Sequence, residues 1–132
     1  MPDTVALPSI TAEQTQWRIK ELMQLRDGWM NGQGKAPSHL ELQWLSERLA
    51  RYFLSSVCQP FLYPTAEGNV RLEWTLDTNE ASLEIDLKTH NSSWHSLNML
   101  TDKEETDSFL LSTEEDWMRL ARYAHSLARS KA

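Results

Sequence analysis

The feature that most constrains this chain is a change of hydrophobic period near Gly68. In "NVRLEWTL", residues 69 to 76, Val70, Leu72, Trp74 and Leu76 alternate with Arg71, Glu73 and Thr75. A two-residue period is that of an extended strand with one dry and one wet face. After the turn "DTNE", the stretch "ASLEIDLK" repeats the pattern, with Leu83, Ile85 and Leu87 inward and Glu84, Asp86 and Lys88 outward. Two such runs joined by a short polar turn predict an antiparallel hairpin. A third strand is expected from about Trp94 to Met99 after the "THNS" turn, and a weaker fourth around Ser108 to Leu111.

A sheet with one dry face needs something apolar laid against it, and the rest of the chain supplies helices. "TAEQ" at 11 to 14 has capping-box spacing, and Ile19, Leu22, Met23 and Leu25 recur every three or four residues, which predicts a helix from Thr11 closed by Asp27-Gly28. Trp29 is expected to fold back on that stripe. A second helix starts at Ser38, with Glu41 three residues on, and runs through Leu42, Leu45, Leu49, Tyr52 and Phe53 to about Val57 before Pro60. "QPFLYPTAEG" carries two prolines and reads as an extended crossing to the sheet. The last helix is marked by "STEED", read as a box between Ser112 and Glu115, and by the stripe Trp117, Leu120, Ala121, Ala124, Leu127 and Ala128. The expected fold is therefore α+β. It has two layers, with an antiparallel meander of three to four strands packed on helices in the order α-α-β-β-β-(β)-α. Residues 1–10 form a flexible N-terminal arm and residues 11–130 one domain, as 132 residues allow.

Charge and cysteine content narrow the function classes. A formal net charge of −6 disfavours nucleic acid as a partner and favours a basic protein. Arg119, Arg122, Arg129 and Lys131 form a modest basic cluster suited to a helix C-terminus. The lone Cys58 cannot form an internal disulfide and points to the cytoplasm. The start "MPDTVALPSI" lacks the pattern of a signal peptide, and no apolar run is long enough for a membrane span.

Three of the four glycines fall in "GWMNGQGKAP", residues 28 to 37. A phosphate-binding loop would need G-x-x-x-x-G-K-[ST] after a strand. This stretch follows a helix, spaces Gly28 and Gly34 by five residues, and has Ala36 after Lys35. It reads as a cap and a turn, with no cofactor implied. The outward Glu73, Glu84, Asp86 and Lys88, with Asp77 as a preceding acid, resemble a metal-dependent nuclease arrangement, in which carboxylates hold a cation and a lysine steadies the attacking water. A solvated strand face with Arg71 pairing the acids accounts for the same residues. His39, His90, His95 and His125 show no i, i+4 zinc spacing, and no serine sits in G-x-S-x-G. Among six tryptophans, Trp17 lies off its helical stripe and Trp44 at the edge of another. Exposed together, they would mark a partner-binding surface.

"GWMNGQGKAPS" at 28 to 38 and "EGNVRLEW" at 67 to 74 resemble a widespread family of small, uncharacterised bacterial proteins with a G-W-[ND]-G-x-G-A-x-P loop and a G-x-[IV]-x-L-E-W strand. Met30 and Lys35 depart from that loop pattern. The resemblance spans about residues 17 to 88 and implies a fold rather than an activity. The expected function is a non-catalytic, cytoplasmic bacterial protein-binding module: an antitoxin, an immunity factor or an accessory subunit of a mobile-element or defence system. The alternative is a hydrolase using the sheet carboxylates. Self-association is left open.

Overall fold

The alternating segments pair as read and recruit neighbours on both sides. The computed structural model describes residues 11–53 and 59–129. The expected arm at 1–10, the approach of the second helix to Val57, Cys58 and Lys131 lie outside them. Among the described residues three helices, α1 (Ala12–Leu22), α2 (His39–Tyr52) and α3 (Glu114–Arg129), accompany a five-stranded sheet. Its strands are β1 (Phe61–Pro64), β2 (Val70–Leu76), β3 (Asn79–Ile85), β4 (Asn91–Asn98) and β5 (Lys103–Leu110). All neighbours are antiparallel in the order β1-β2-β3-β4-β5, so the sheet is a simple meander.

The fold class is α+β as expected, with one strand more than expected. The added strand is β1, "FLYP", drawn from the proline-flanked crossing. Proline fits here because an edge strand has one side with no ladder to complete. The weak fourth strand is a full eight residues, and pairs along its length with β4.

One face of the sheet is dry. Leu62, Val70, Leu72, Trp74, Ala81, Leu83, Ile85, Trp94 and Phe109 are buried there, against Ile19 and Leu22 of α1, Leu42, Leu45 and Leu49 of α2, and Trp117, Leu120, Ala124 and Leu127 of α3. Rings concentrate under α3: Trp94 meets Tyr123 and Phe109 edge to face, with centroids 5.5 and 6.5 Å apart. The Trp94 indole N–H is buried with no hydrogen-bond partner among the described residues.

Capping explains the helix starts. Thr11 and Gln14 form the complete reciprocal box, and Ser38 accepts from the Glu41 N–H. For α3 the cap is Thr113, not Ser112: its Oγ1 accepts from the Asp116 N–H at 3.2 Å. The first helix also ends earlier than Gly28. After Leu22 the chain tightens into i→i+3 bonds, Gln24 N to Glu21 O and Leu25 N to Leu22 O. The Met23 carbonyl left at that end pairs with His39 Nε2 of α2 at 2.6 Å.

Candidate functional site

The second face of the sheet bears no helix, and the two-residue period dictates what stands on it. Across the strands, one row reads Tyr63, Arg71, Glu84, Ser93 and Ser108, and the next reads Phe61, Glu73, Ser82, His95 and Thr106. A third row holds Thr75, Glu80, Leu97 and Glu104. Serines and Thr106 make a low floor between taller side chains. The result is a shallow depression of about 550 Å³ over Arg71, Ser82, Glu84, Ser93, His95 and Thr106. It continues past Ser82 and His95 to Glu73, Glu80 and Leu97. Among the described residues the face is acidic: Glu73, Glu80, Glu84 and Glu104 stand against one arginine, Arg71, with His95 Nε2 2.9 Å from Glu104 and Arg71 Nε 3.2 Å from Glu73. Phe61 and Tyr63 are exposed at the β1 side.

The hydrolase residues do not converge. Glu73 and Glu84 lie on this face, but Asp86 and Lys88 follow β3 in the turn before β4. Asp86 Oδ1 accepts from the N–H groups of Lys88 and Thr89 at 2.9 and 3.1 Å. The Thr89 bond, then the Lys88 bond, hold its carboxyl below the usual carboxylate range. Its role is to tie a turn in which His90 takes a positive φ of 68°. Among the described residues, no three His, Cys, Asp or Glu side chains gather so as to hold a metal ion.

The tryptophan pair does not converge either. Trp17 is 64% exposed on α1, beside Ala12, Glu13, Gln16 and Lys20. Trp44 is half-buried, stacked on His90 at 3.7 Å and edge-on to Trp117 at 5.9 Å. These partners place Trp44 on the α3 side of α2, whereas α1 meets α2 through Gln16 and Ser46. Trp17 and Trp44 therefore do not form one exposed pair: Trp17 stands free on α1 and Trp44 packs toward α3.

The glycine-rich loop uses backbone donors within itself and on neighbouring segments of the chain. Met30 and Gln33 exchange two backbone bonds around Asn31-Gly32, whose φ values of 52° and 88° are those of a type I′ turn. Gly28 N bonds Gly34 O, Lys35 N bonds Ala66 O, and Ala36 N bonds the Asp27 carboxylate. Trp29 does not return to the α1 stripe. It lies over Gly34, where a Cβ would come within 3.2 Å of its indole nitrogen, and that nitrogen donates to Lys35 O at 2.8 Å.

The sheet edges carry features that no motif announced. Backbone groups in an antiparallel pair point alternately toward and away from the neighbour. The bond from Leu111 N to His90 O sets that alternation for β5, so Glu104, Thr106, Ser108 and Leu110 turn their backbone groups outward. Side chains meet the last two. Arg119 Nη2 donates to Ser108 O at 2.9 Å, Asp107 Oδ1 accepts from Ser108 N at 2.7 Å, and Asp116 Oδ2 accepts from Leu110 N at 2.6 Å. Arg119 Nη1 also pairs with Asp107 Oδ2 at 2.8 Å, and Tyr123 donates to the same oxygen. The Tyr123 bond, then the Ser108 N–H and the Arg119 charge, hold Asp107 below the usual carboxylate range. The same Asp107 bond, with burial, raises the Tyr123 phenol. Burial opposes the Arg119 charge, but Tyr123, Asp107 and Asp116 outweigh it and raise its pKa. Arg119 is thus no part of a helix-end cluster; it clamps α3 to the edge of the sheet.

On the other side, Thr65 N to Asn69 O sets the alternation that turns Leu62 and Pro64 outward on β1. Arg18 Nε of α1 donates to Leu62 O at 2.9 Å, and Pro64 has no N–H to offer. Among the described residues, no helix is long and apolar enough to cross a membrane. Compared with known proteins, the chain matches no family model, no curated protein and no solved structure at a significant level.

Proposed function

We propose that this chain is a non-catalytic protein-binding module whose docking surface is the helix-free face of its sheet and whose partner is a basic protein. The observation that carries the reading is the make-up of that face: four glutamates against one arginine, over a hydroxyl floor, beside exposed Phe61 and Tyr63. Large aromatics at the side and complementary charge are what an interface uses for affinity and for steering. The reading also draws on the engagement of the other chemical candidates: the Asp86 carboxylate and the loop N–H groups are committed to turns. A bacterial antitoxin, immunity factor or accessory subunit, acting in the cytoplasm, is the role we assign to such a module. The family resemblance of residues 17 to 88 is compatible with it but adds no activity.

Pull-down from the native host, followed by mass spectrometry, should recover a stoichiometric basic partner. Glu80→Lys with Glu84→Lys should weaken that complex at least tenfold. Recovery of no stoichiometric partner, or an unaffected complex, would count against the reading.

A further inference from the structure

From the edge geometry we infer that the distal half of β5, around Glu104 and Thr106, is a strand-addition site for an extended segment bearing adjacent lysine or arginine residues on a different protein. The inference rests on the reading of the chain as a binder of a basic protein, and adds where and in what conformation part of that partner engages.

Alternation along β5 turns the N–H and C=O of Glu104 and Thr106 away from β4, as it does for Ser108 and Leu110. The latter two are met by Asp107, Arg119, Asp116 and Thr113. Among the described residues no side chain reaches the outward backbone groups of Glu104 or Thr106. The β4–β5 hairpin extends here beyond the helix layer, so Lys103, Glu104, Glu105 and Thr106 are all exposed, whichever face they point to. The hairpin end is held by Asn98 Oδ1, which accepts from Leu100 N and Thr101 N at 2.9 and 3.2 Å. Such an edge is a ready template, since main-chain bonds supply affinity and flanking side chains supply selection.

Charge decides what the template accepts. On the helix-free face the neighbour of an added strand is Glu104, and on the opposite face it is Glu105, with Lys103 3.6 Å from Glu105. A second copy of this chain is a poorer fit than a basic segment. Registers centred on Glu104 or Glu105 set Lys103 against Glu105 or Asp107 but still place one glutamate against its own copy, and the register centred on Thr106 sets Glu105 against Asp107, like charges that destabilise a pair. An incoming segment with neighbouring basic residues places one cation over each glutamate. The β1 edge offers less, because Arg18 covers Leu62 O and Pro64 lacks an N–H.

The probe is a six-residue peptide, acetyl-TVKKVT-amide, with acetyl-TVEEVT-amide as its charge-reversed control, titrated into the ¹⁵N-labelled protein. The lysine peptide should slow amide exchange at Glu104 and Thr106 at least tenfold and leave Ser108 and Leu110 unchanged, and the glutamate peptide should do neither. Thr106→Pro deletes an outward N–H that β4 does not use and should weaken binding at least tenfold. Glu105→Lys, which leaves every backbone group in place, should weaken it similarly and serves if the proline variant fails to fold. Binding elsewhere, no binding at millimolar peptide, or indifference to both substitutions would overturn strand addition. A native partner lost on Glu84→Lys while the peptide fails to bind would overturn this inference and leave the face reading standing; peptide binding with no native partner recovered would do the reverse.

Discussion

At each edge of this sheet a helix arginine meets a backbone carbonyl, but the two edges are covered to different extents. At β1, four residues long, one arginine meets one backbone carbonyl and a proline removes one outward N–H. At β5, eight residues long, Arg119, Asp107 and Asp116 with the Tyr123 hydroxyl cover the half that α3 overlies, and no more. An edge is protected as far as a helix can reach it. Beyond that reach, charge takes over from hydrogen bonding as the means of selecting neighbours.

The comparison is most directly broken at its stronger side. Arg119→Ala removes donors to Asp107 and Ser108 O, and the guanidinium that lies 4.2 Å over the Phe109 ring. We expect a loss of about 2 kcal/mol in urea denaturation, given what hydrogen bonds to charged groups contribute, together with faster exchange at Leu110. The β1 counterpart, Arg18→Ala, removes one bond to a neutral carbonyl and an exposed pair with Glu21, and should cost about 1 kcal/mol or less. Equal losses would mean that the two edges are held alike.

Acid separates them further. Asp107 is held below its ordinary range, so its contribution is present above the unfolded value of about 3.9 and is lost as pH falls through the lower folded value. Asp107→Asn should therefore be less stable than the parent at pH 7, with the deficit shrinking to nothing in strong acid. The Leu62 carbonyl bound by Arg18 does not titrate, so that bond should show no such convergence. The smallest effect expected is at the residues of the hydrolase reading, Glu73 and Glu84 on the open face and Asp86 and Lys88 in the turn after β3. Magnesium or manganese titrated into the protein should give no calorimetric signal, and Asp86→Ala and Lys88→Ala should reveal no nuclease activity to lose; binding or cleavage would revive the hydrolase.

What the sequence showed and hid follows the same division. β2 and β3 were legible because one face of each is buried and the other wet along their whole length. β5 was faint because "KEET" stands beyond the helices, exposed on both faces, and so has no hydrophobic period to read. β1 was missed because two prolines oppose a ladder everywhere except at an edge. Arg119 looked like part of a cationic helix end; only the crossing of α3 over β5 brings it to Asp107, twelve residues earlier. Trp44 looked like a surface anchor because its stacking partner His90 lies far along the chain. On the open face the alternation identified which acids point outward, but not that serines between them would leave a depression. That follows from cross-strand register, which a single strand does not encode.

The Trp94 donor bears on how its position tolerates change. An indole whose nitrogen meets no partner among the described residues contributes by outline, through the fit of a flat ring among Trp74, Phe109 and Tyr123. Replacement by another large apolar ring there forfeits no hydrogen bond seen among those residues, whereas at Trp117 it forfeits the bond from the indole nitrogen to the Leu111 carbonyl at 2.7 Å.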